Sequence, residues 1–259
     1  MTYTEGQEAV NTAKGMIMKI TTYGDNLIQL TRYPLLFPVN CYLVREDDGF
    51  TLIDTGLPGS TAAILAVAQA HSAPIRRIVL THAHMDHVAS LDALHAALPA
   101  AEVLISARDA RFLAGERSLD ADEMQGKLRG SYQTCKTTPT RTLVSGDRIG
   151  SLEVIAAPGH TPGHMAFFDL RDRALIAGDA LQTRGGVAVS GTLKPLFPFP
   201  AMGTWHAPTA LASARALRAL EPSLLAIGHG VVLTEPLPAI DQAIADAARH
   251  LKEDIAHAA

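Results

Sequence analysis

The sequence predicts a single-domain α/β protein built in layers, and three observations predict it. Runs of β-branched and aromatic residues alternate with Ala-rich stretches of helical spacing over most of the chain. Its 259 residues, 47% hydrophobic and 19% charged, supply apolar surface for one large core and exclude a largely disordered chain. No segment repeats at a fixed period, which removes solenoids and propellers.

Residues 1–15 are polar and read as a flexible lead, so the domain is expected over residues 16–259. Residues 16–22, 27–32 and 40–45 read as strands, and Glu46-Asp47-Asp48-Gly49 as a hairpin turn into a strand at 50–54 that ends on Asp54. Gly56, Pro58 and Gly59 break the chain before a helix at 61–71, where Ile64, Leu65 and Ala68 fall at helical spacing; an apolar strand at 75–80 comes next. Helices at 91–98 and 107–114 flank a strand at 102–105. Residues 115–139 lack periodicity and read as an insertion or lid. Strands at 152–156, 165–169 and 174–176, a helix at 208–220, a strand at 224–227 and a helix from 236 towards 252 echo the first half. The Gly-, Pro- and Phe-rich stretch 185–204 reads as a long surface loop.

The formal charge is −4 and Lys and Arg are scattered, so nothing suits the tracking of a phosphate backbone and no nucleic-acid partner is expected. Cys41 and Cys135 form neither a redox pair nor a zinc-ribbon spacing, and simple burial is their reading. No basic segment leading into an apolar one opens the chain, and residues 16–20 are too short and too interrupted to span a membrane. The expectation is a cytoplasmic protein with no membrane partner; the oligomeric state is not legible.

Thr81-His82-Ala83-His84-Met85-Asp86-His87 comes directly after the apolar strand at 75–80, which sets three imidazoles and a carboxylate on a tight loop at a strand end. Imidazole nitrogen and carboxylate oxygen suit zinc and neighbouring borderline metals. Four such groups within six residues strain to reach one ion, and two adjacent ions relieve the problem. His82 and His84 point the same way, while Asp86 and His87 turn towards a second ion. A solvent-exposed His-rich turn is the plain alternative. Against it, Pro158-Gly159-His160, Gly178-Asp179 and Gly228-His229-Gly230 each come after a strand and each carry a ligand type beside glycine.

Asp54, His-x-His-x-Asp-His at 82–87, His160, Asp179 and His229 together resemble the five-part signature of the metallo-β-lactamase superfamily. The resemblance implies a four-layer αββα sandwich and two divalent metal ions, zinc first, with iron or manganese as alternatives. It implies that His82, His84 and His160 hold one ion, that Asp86, His87 and His229 hold the other, and that Asp179 bridges them. Asp54 then orients ligands from behind. The implied chemistry is hydrolysis by a hydroxide shared between the ions, with Asp86 or Asp179 relaying a proton to the leaving group.

Departures from relatives narrow the choice. Asp179 stands where true metallo-β-lactamases carry Cys or Ser, which leaves β-lactam hydrolysis as a side activity. His84 counts against the flavodiiron branch, and no basic cluster marks a glutathione carboxylate pair. No tyrosine comes after Asp179, unlike in well-known acyl-homoserine lactonases; the last is Tyr132. A small carboxylic ester, lactone or thioester is the expected substrate. An iron-dependent persulfide dioxygenase is the alternative, and a metal-binding module without catalysis the last. His164 is not read as a ligand, since seven others already fill two sites; a buried, hydrogen-bonded imidazole is its plain reading, and a place behind the ligands or against substrate the lesser alternative. His71 and His95 read as surface or packing residues. His206, Trp205, Phe197 and Phe199 are candidate substrate contacts, although aromatic residues by a long loop often just pin it to the core.

Overall fold

A computed structural model of the protein describes residues 5–11 and 17–258, with side chains over residues 18–253. The chain divides into two compact units, Met1–Gly115 with Tyr132–Leu143 and Glu116–Ser131 with Val144–Ala259. Each has its own large sheet.

In the first unit eight strands lie in chain order: β1 (Glu5–Asn11), β2 (Ile17–Tyr23), β3 (Leu27–Arg32), β4 (Val39–Glu46), β5 (Gly49–Ile53), β6 (Ile75–Val79), β7 (Glu102–Ser106) and β8 (Arg141–Leu143). The first five form an antiparallel meander, and from β5 to β8 each pair is parallel. Parallel neighbours need crossover connections. Here α1 (Thr61–Ala70) links β5 to β6, α2 (Met85–Val88) and α3 (Leu91–Ala97) link β6 to β7, and α4 (Ala107–Leu113) comes after β7. Strands β4 and β5 are buried on both faces, so they read as continuous apolar runs rather than alternating ones. Buried Asn40 in β4 is satisfied by its register partner, for the Thr31 hydroxyl donates to its Oδ1 at 2.8 Å. Of the N-terminal lead, residues 5–11 are β1, paired with β2 along their whole length. The rest of that lead lies outside the described residues.

In the second unit β9 (Arg148–Ile149), β10 (Leu152–Ala156), β11 (Met165–Asp169), β12 (Ala174–Ile176), β15 (Leu224–Ala226) and β16 (Leu233–Thr234) form a sheet in the order β16-β15-β12-β11-β10-β9, while β13 (Leu181–Gln182) and β14 (Ala188–Val189) pair as a small hairpin. Only β12 and β15 run parallel within the six-stranded sheet. Helix α5 (Phe199–Gly203) is one short turn; α6 (Ala207–Ala219) and α7 (Leu237–Ala258) are long. Leu211, Ala214 and Leu217 of α6 and Ile240, Ala243 and Ala247 of α7 fall at helical spacing and share one core with Phe168, Leu175 and Leu225.

Residues 185–204 differ from the surface loop expected of them. They carry β14 and α5 and bury Ser190, Thr192, Phe197 and Thr204. Gln182 makes the difference: its Nε2 donates to the carbonyls of Arg184 (2.9 Å) and Phe197 (3.1 Å) and gathers the stretch inward. Among the described residues no helix is long and apolar enough to cross a membrane.

Candidate metal centre

The first unit assembles its share of the site from three adjacent parallel strands. Ile53 of β5 pairs with Val79 of β6, and Val79 with Leu104 of β7, so the residues just past each strand emerge at one edge of the sheet. After β5 comes Asp54, held at φ +61°, a left-handed backbone that costs a non-glycine residue about 1–3 kcal/mol and is kept only where the surroundings enforce it. They do enforce it. The Asp54 N–H donates to the Val79 carbonyl at 2.8 Å, and its carboxylate accepts from the Thr81 N–H (2.8 Å), the Thr81 hydroxyl (2.8 Å) and His87 Nδ1 (2.9 Å).

Those bonds decide where two protons sit. An ionised carboxylate only accepts, so Thr81 spends its one hydrogen on Asp54 Oδ2. The Thr81 oxygen lies 2.9 Å from His82 Nδ1 and must therefore accept from it. His82 and His87 are thus both Nδ1–H tautomers, with the Nε2 lone pair as the metal-binding end. The rings of His82 and His84 lie 4.8 Å apart and those of His82 and His87 4.2 Å apart, all three residues buried. Helix α2 turns the chain directly after His84. The His84 carbonyl accepts from the N–H groups of His87 (3.0 Å) and Val88 (3.2 Å). A second buried carboxylate braces the loop between its first two histidines: Asp109 of α4 accepts from the Ala83 N–H at 2.9 Å.

The second unit brings together three more of the expected residues. Ile176 of β12 pairs with Ala226 of the parallel β15, and Asp179 and His229 each stand three residues further on. Equal steps past a matched register bring His229 Nε2 to 3.2 Å from Asp179 Oδ2. His160, after β10, sets its Nε2 at 3.4 Å from the same oxygen. Donors around a tetrahedral ion at bond lengths of about 2.0–2.1 Å lie roughly 3.3–3.4 Å apart, so each imidazole stands from the Asp179 oxygen at the spacing of two ligands of one ion. His160 Nδ1 faces the hydroxyls of Ser190 (2.8 Å) and Thr204 (3.3 Å). His164 spends Nε2 on accepting the Asp179 N–H at 3.1 Å and so holds the backbone of that carboxylate.

Two glycines make these approaches. A Cβ on Gly159 would lie 2.3 Å from the Ala210 nitrogen, and one on Gly230 2.2 Å from Thr183 Oγ1, at φ of +134° and +120°. The bare backbone at Gly230 lets the His229 carbonyl accept from both Thr183 and Arg184.

A sequence model of the metallo-beta-lactamase superfamily matches residues 35–229. The chain belongs to this superfamily. It is 50% identical to the Bacillus subtilis protein YobT over 88% of this chain and 97% of that one. With a probable metallo-hydrolase of the same organism, YflN, it shares 28% identity over 75% of this chain and 81% of the relative. The solved structure of TTHA1623 in a di-iron-bound form is 32% identical and superimposes with a TM-score of 0.60, covering 82% of this chain and 96% of that one. The DIM-1 metallo-β-lactamase superimposes with a TM-score of 0.67 over 90% of this chain and 97% of its own, at 15% identity. The chain thus has the metallo-β-lactamase fold.

Within that fold three of the four suggested substrate contacts, Trp205, His206 and Phe197, have visible structural roles. The Trp205 and His206 N–H groups donate to the carbonyls of His160 and Gly159, both at 2.9 Å, and clamp the loop that carries the histidine. His206 also caps α6: its Nδ1 accepts from the Thr209 N–H, and burial lowers its pKa, which favours the neutral acceptor. Phe197 is buried with its ring 5.5 Å from that of His229, while Phe199 is half exposed. Sequence pattern alone does not single out Thr81, Asp109, Ser190 or Thr204. Ser106-x-x-Asp109 is a capping-box spacing and marks the start of α4, yet the Asp109 carboxylate reaches Ala83.

Proposed function

We propose that the two ligand sets act on one pair of divalent metal ions in a hydrolase of small carboxylic esters, lactones or thioesters. His82, His84 and His160 take one ion, Asp86, His87 and His229 the other, and Asp179 is shared. The observation that carries the reading is the frame behind two of the donors: His82 Nδ1 lies 2.9 Å from the Thr81 hydroxyl and His87 Nδ1 2.9 Å from Asp54, the partners that favour Nδ1–H and make Nε2 the metal-binding end. Bound ions of this kind lower the pKa of water and polarise a scissile oxygen. Asp54 orients the imidazoles, and proton delivery to the leaving group falls to Asp86 or Asp179.

Charge and kinship favour a small substrate. The net charge of −4 with scattered Lys and Arg offers no track for a polyanion. Hydroxyacylglutathione hydrolase of Psychromonas ingrahamii, a hydrolase of an acyl-glutathione by name, is 30% identical over 54% of this chain and 46% of its own length. Zinc is the first choice of metal, and the di-iron form of TTHA1623 makes iron the second.

The test is a hydrolysis screen over esters, lactones, thioesters and β-lactams on purified protein with its metal quantified. The expected result is turnover of at least one of the first three classes, abolished by a chelator and restored by metal, with Asp179→Ala slower by orders of magnitude. One iron per chain with oxygen uptake on a persulfide would overturn the hydrolase reading. Inactivity of fully loaded protein across the panel would do the same.

A further inference from the structure

We propose that Ser190 and Thr204 are positioning residues that fix the tautomer of His160, so that the short helix α5 becomes part of the apparatus that prepares this ligand. The inference rests on the metal reading above and concerns how one donor of that site is prepared. All three side chains are buried, at 2–4% exposure.

One donor pattern makes every contact of the set at once. Thr204 directly succeeds α5, and its hydroxyl donates to the Pro200 carbonyl four residues back at 2.7 Å. A carbonyl has no hydrogen to return, and a hydroxyl has only one to give. The 2.7 Å bond between Ser190 and Thr204 must then be donated by Ser190. Ser190 has no second hydrogen, so its 2.8 Å contact with His160 Nδ1 is donated by the imidazole, and so is the longer contact from Nδ1 to Thr204 at 3.3 Å. The proton sits on Nδ1, and the lone pair on Nε2 points to the side of Asp179. Reversing the first bond would require a proton on the Pro200 carbonyl. The direction of the chain is therefore set at its far end.

That far end is a structural element with a surface of its own. Capping by Thr204 satisfies a carbonyl in the single turn of α5, which would otherwise be left open at a helix end. The same turn carries Phe199 and Met202, both more than half exposed. Unwinding α5 withdraws the acceptor from Thr204, frees the Thr204 hydrogen to turn to Ser190, and lets Ser190 donate to His160 Nδ1. The proton of His160 then belongs on Nε2, where it blocks the ligand position. The state of α5 and the readiness of His160 are one hydrogen-bond chain.

The test compares wild type with Ser190→Ala, Thr204→Val and Thr204→Ser. The readouts are the 15N signature of His160 in metal-free protein, assigned with His160→Gln, and zinc affinity from competition with a chelating indicator. Wild type and Thr204→Ser should show Nδ1–H and agree in affinity within about threefold. Ser190→Ala and Thr204→Val should show Nε2–H or a mixture and bind zinc about 10- to 100-fold more weakly, the usual effect of removing a partner behind a ligand. Loop stitching alone would lower melting temperatures without moving the 15N signature. An unchanged Nδ1–H signature with affinity within threefold in both variants overturns the proposal. A wild type that shows Nδ1–H yet takes up no zinc or iron would instead overturn the metal reading and leave the tautomer assignment standing.

Discussion

Asp54→Asn separates the role of Asp54 in the fold from its role in preparing the ligands. Asparagine fits the volume of aspartate and tolerates the left-handed backbone at φ +61°. Its Oδ1 still accepts from the Thr81 N–H, but a donor now replaces the Oδ2 that accepted from the Thr81 hydroxyl and His87 Nδ1. Thr81 must accept from the new amide and turn its own hydrogen to His82 Nδ1, 2.9 Å away, which moves the His82 proton to Nε2. His87 Nδ1 must likewise accept, and its proton moves as well. All contacts survive with reversed polarity, so stability should change by no more than about 2 kcal/mol. Two prospective ligands, however, present N–H in place of a lone pair. At about 10- to 100-fold for each disturbed imidazole, zinc affinity should fall about 100- to 10,000-fold, or roughly 3–5.5 kcal/mol. Asp54→Ala is less informative, because it strands three buried donors at about 1–3 kcal/mol each and threatens the fold itself. Zinc titration of metal-free protein against an indicator, alongside a urea melt, checks the expectation. Affinity of Asp54→Asn within threefold of wild type, with the fold intact, would refute the proton assignment.

Single residues elsewhere carry three further expectations. Gly159→Ala puts a Cβ 2.3–2.4 Å from backbone atoms of Ala210 at a positive φ, at a cost of about 2–5 kcal/mol and a melting point about 5–15 °C lower; a shift under 2 °C in calorimetry would contradict it. Burial, and then the charge of Asp92, push the Cys135 thiol from 9.0 up to about 11. At pH 8 its thiolate fraction is about a hundredfold below that of an ordinary thiol, so iodoacetamide should alkylate it at least that much more slowly in folded than in urea-unfolded protein. Burial raises the Asp92 carboxyl, but hydrogen bonds from Lys136 and Thr137 outweigh it and the net shift is downward. A depressed folded pKa stabilises above the unfolded value and loses that stabilisation as pH falls through the folded one. The stability gap between wild type and Asp92→Asn should therefore be full at pH 7 and close below about pH 4; a gap that widens on acidification would contradict the sign.

The elements legible in the sequence are those with enough residues to show a period. β3, β10, β11 and β12 stand at the bounds their composition predicts, because each is rich in apolar or aromatic residues and stands between turn residues. β9, β13, β14 and β16 span two residues each, too few for alternation to appear; β9 and β16 exist through ladder bonds to the longer β10 and β15, and β13 and β14 through bonds to each other. Helix α2 is hidden inside the motif for the same reason: its four residues are shorter than two turns, and the His84 carbonyl nucleates it. The seven candidate ligands are legible because a metal ligand must be one of few residue types and these stand at strand ends. Thr81, Ser190 and Thr204 are not, since a hydroxyl that aims an imidazole is indistinguishable in sequence from one that closes a turn.

The two units prepare their histidines by different chemical means. In the first, one anion receives the protons of two imidazoles, directly from His87 and through Thr81 from His82. In the second, the chain from His160 ends on a neutral carbonyl. A carboxylate raises the electron density of the imidazole it holds more than a hydroxyl does, since hydrogen bonds to ionised groups are roughly twice as strong as neutral ones. His87, the one imidazole that the carboxylate holds directly, is therefore the strongest donor; His82 and His160 each rest on a hydroxyl, but the chain behind His82 ends on an anion and the one behind His160 on a neutral carbonyl, which leaves His160 the weakest. Weakness there has a physical consequence: a donor whose hydrogen-bond chain ends on a neutral carbonyl is the easier one to release. The one held that way is also the one whose partners are anchored to α5. On the proposed metal reading, Asp54 makes His82 and His87 permanent ligands, while Ser190 and Thr204 make His160 a conditional one.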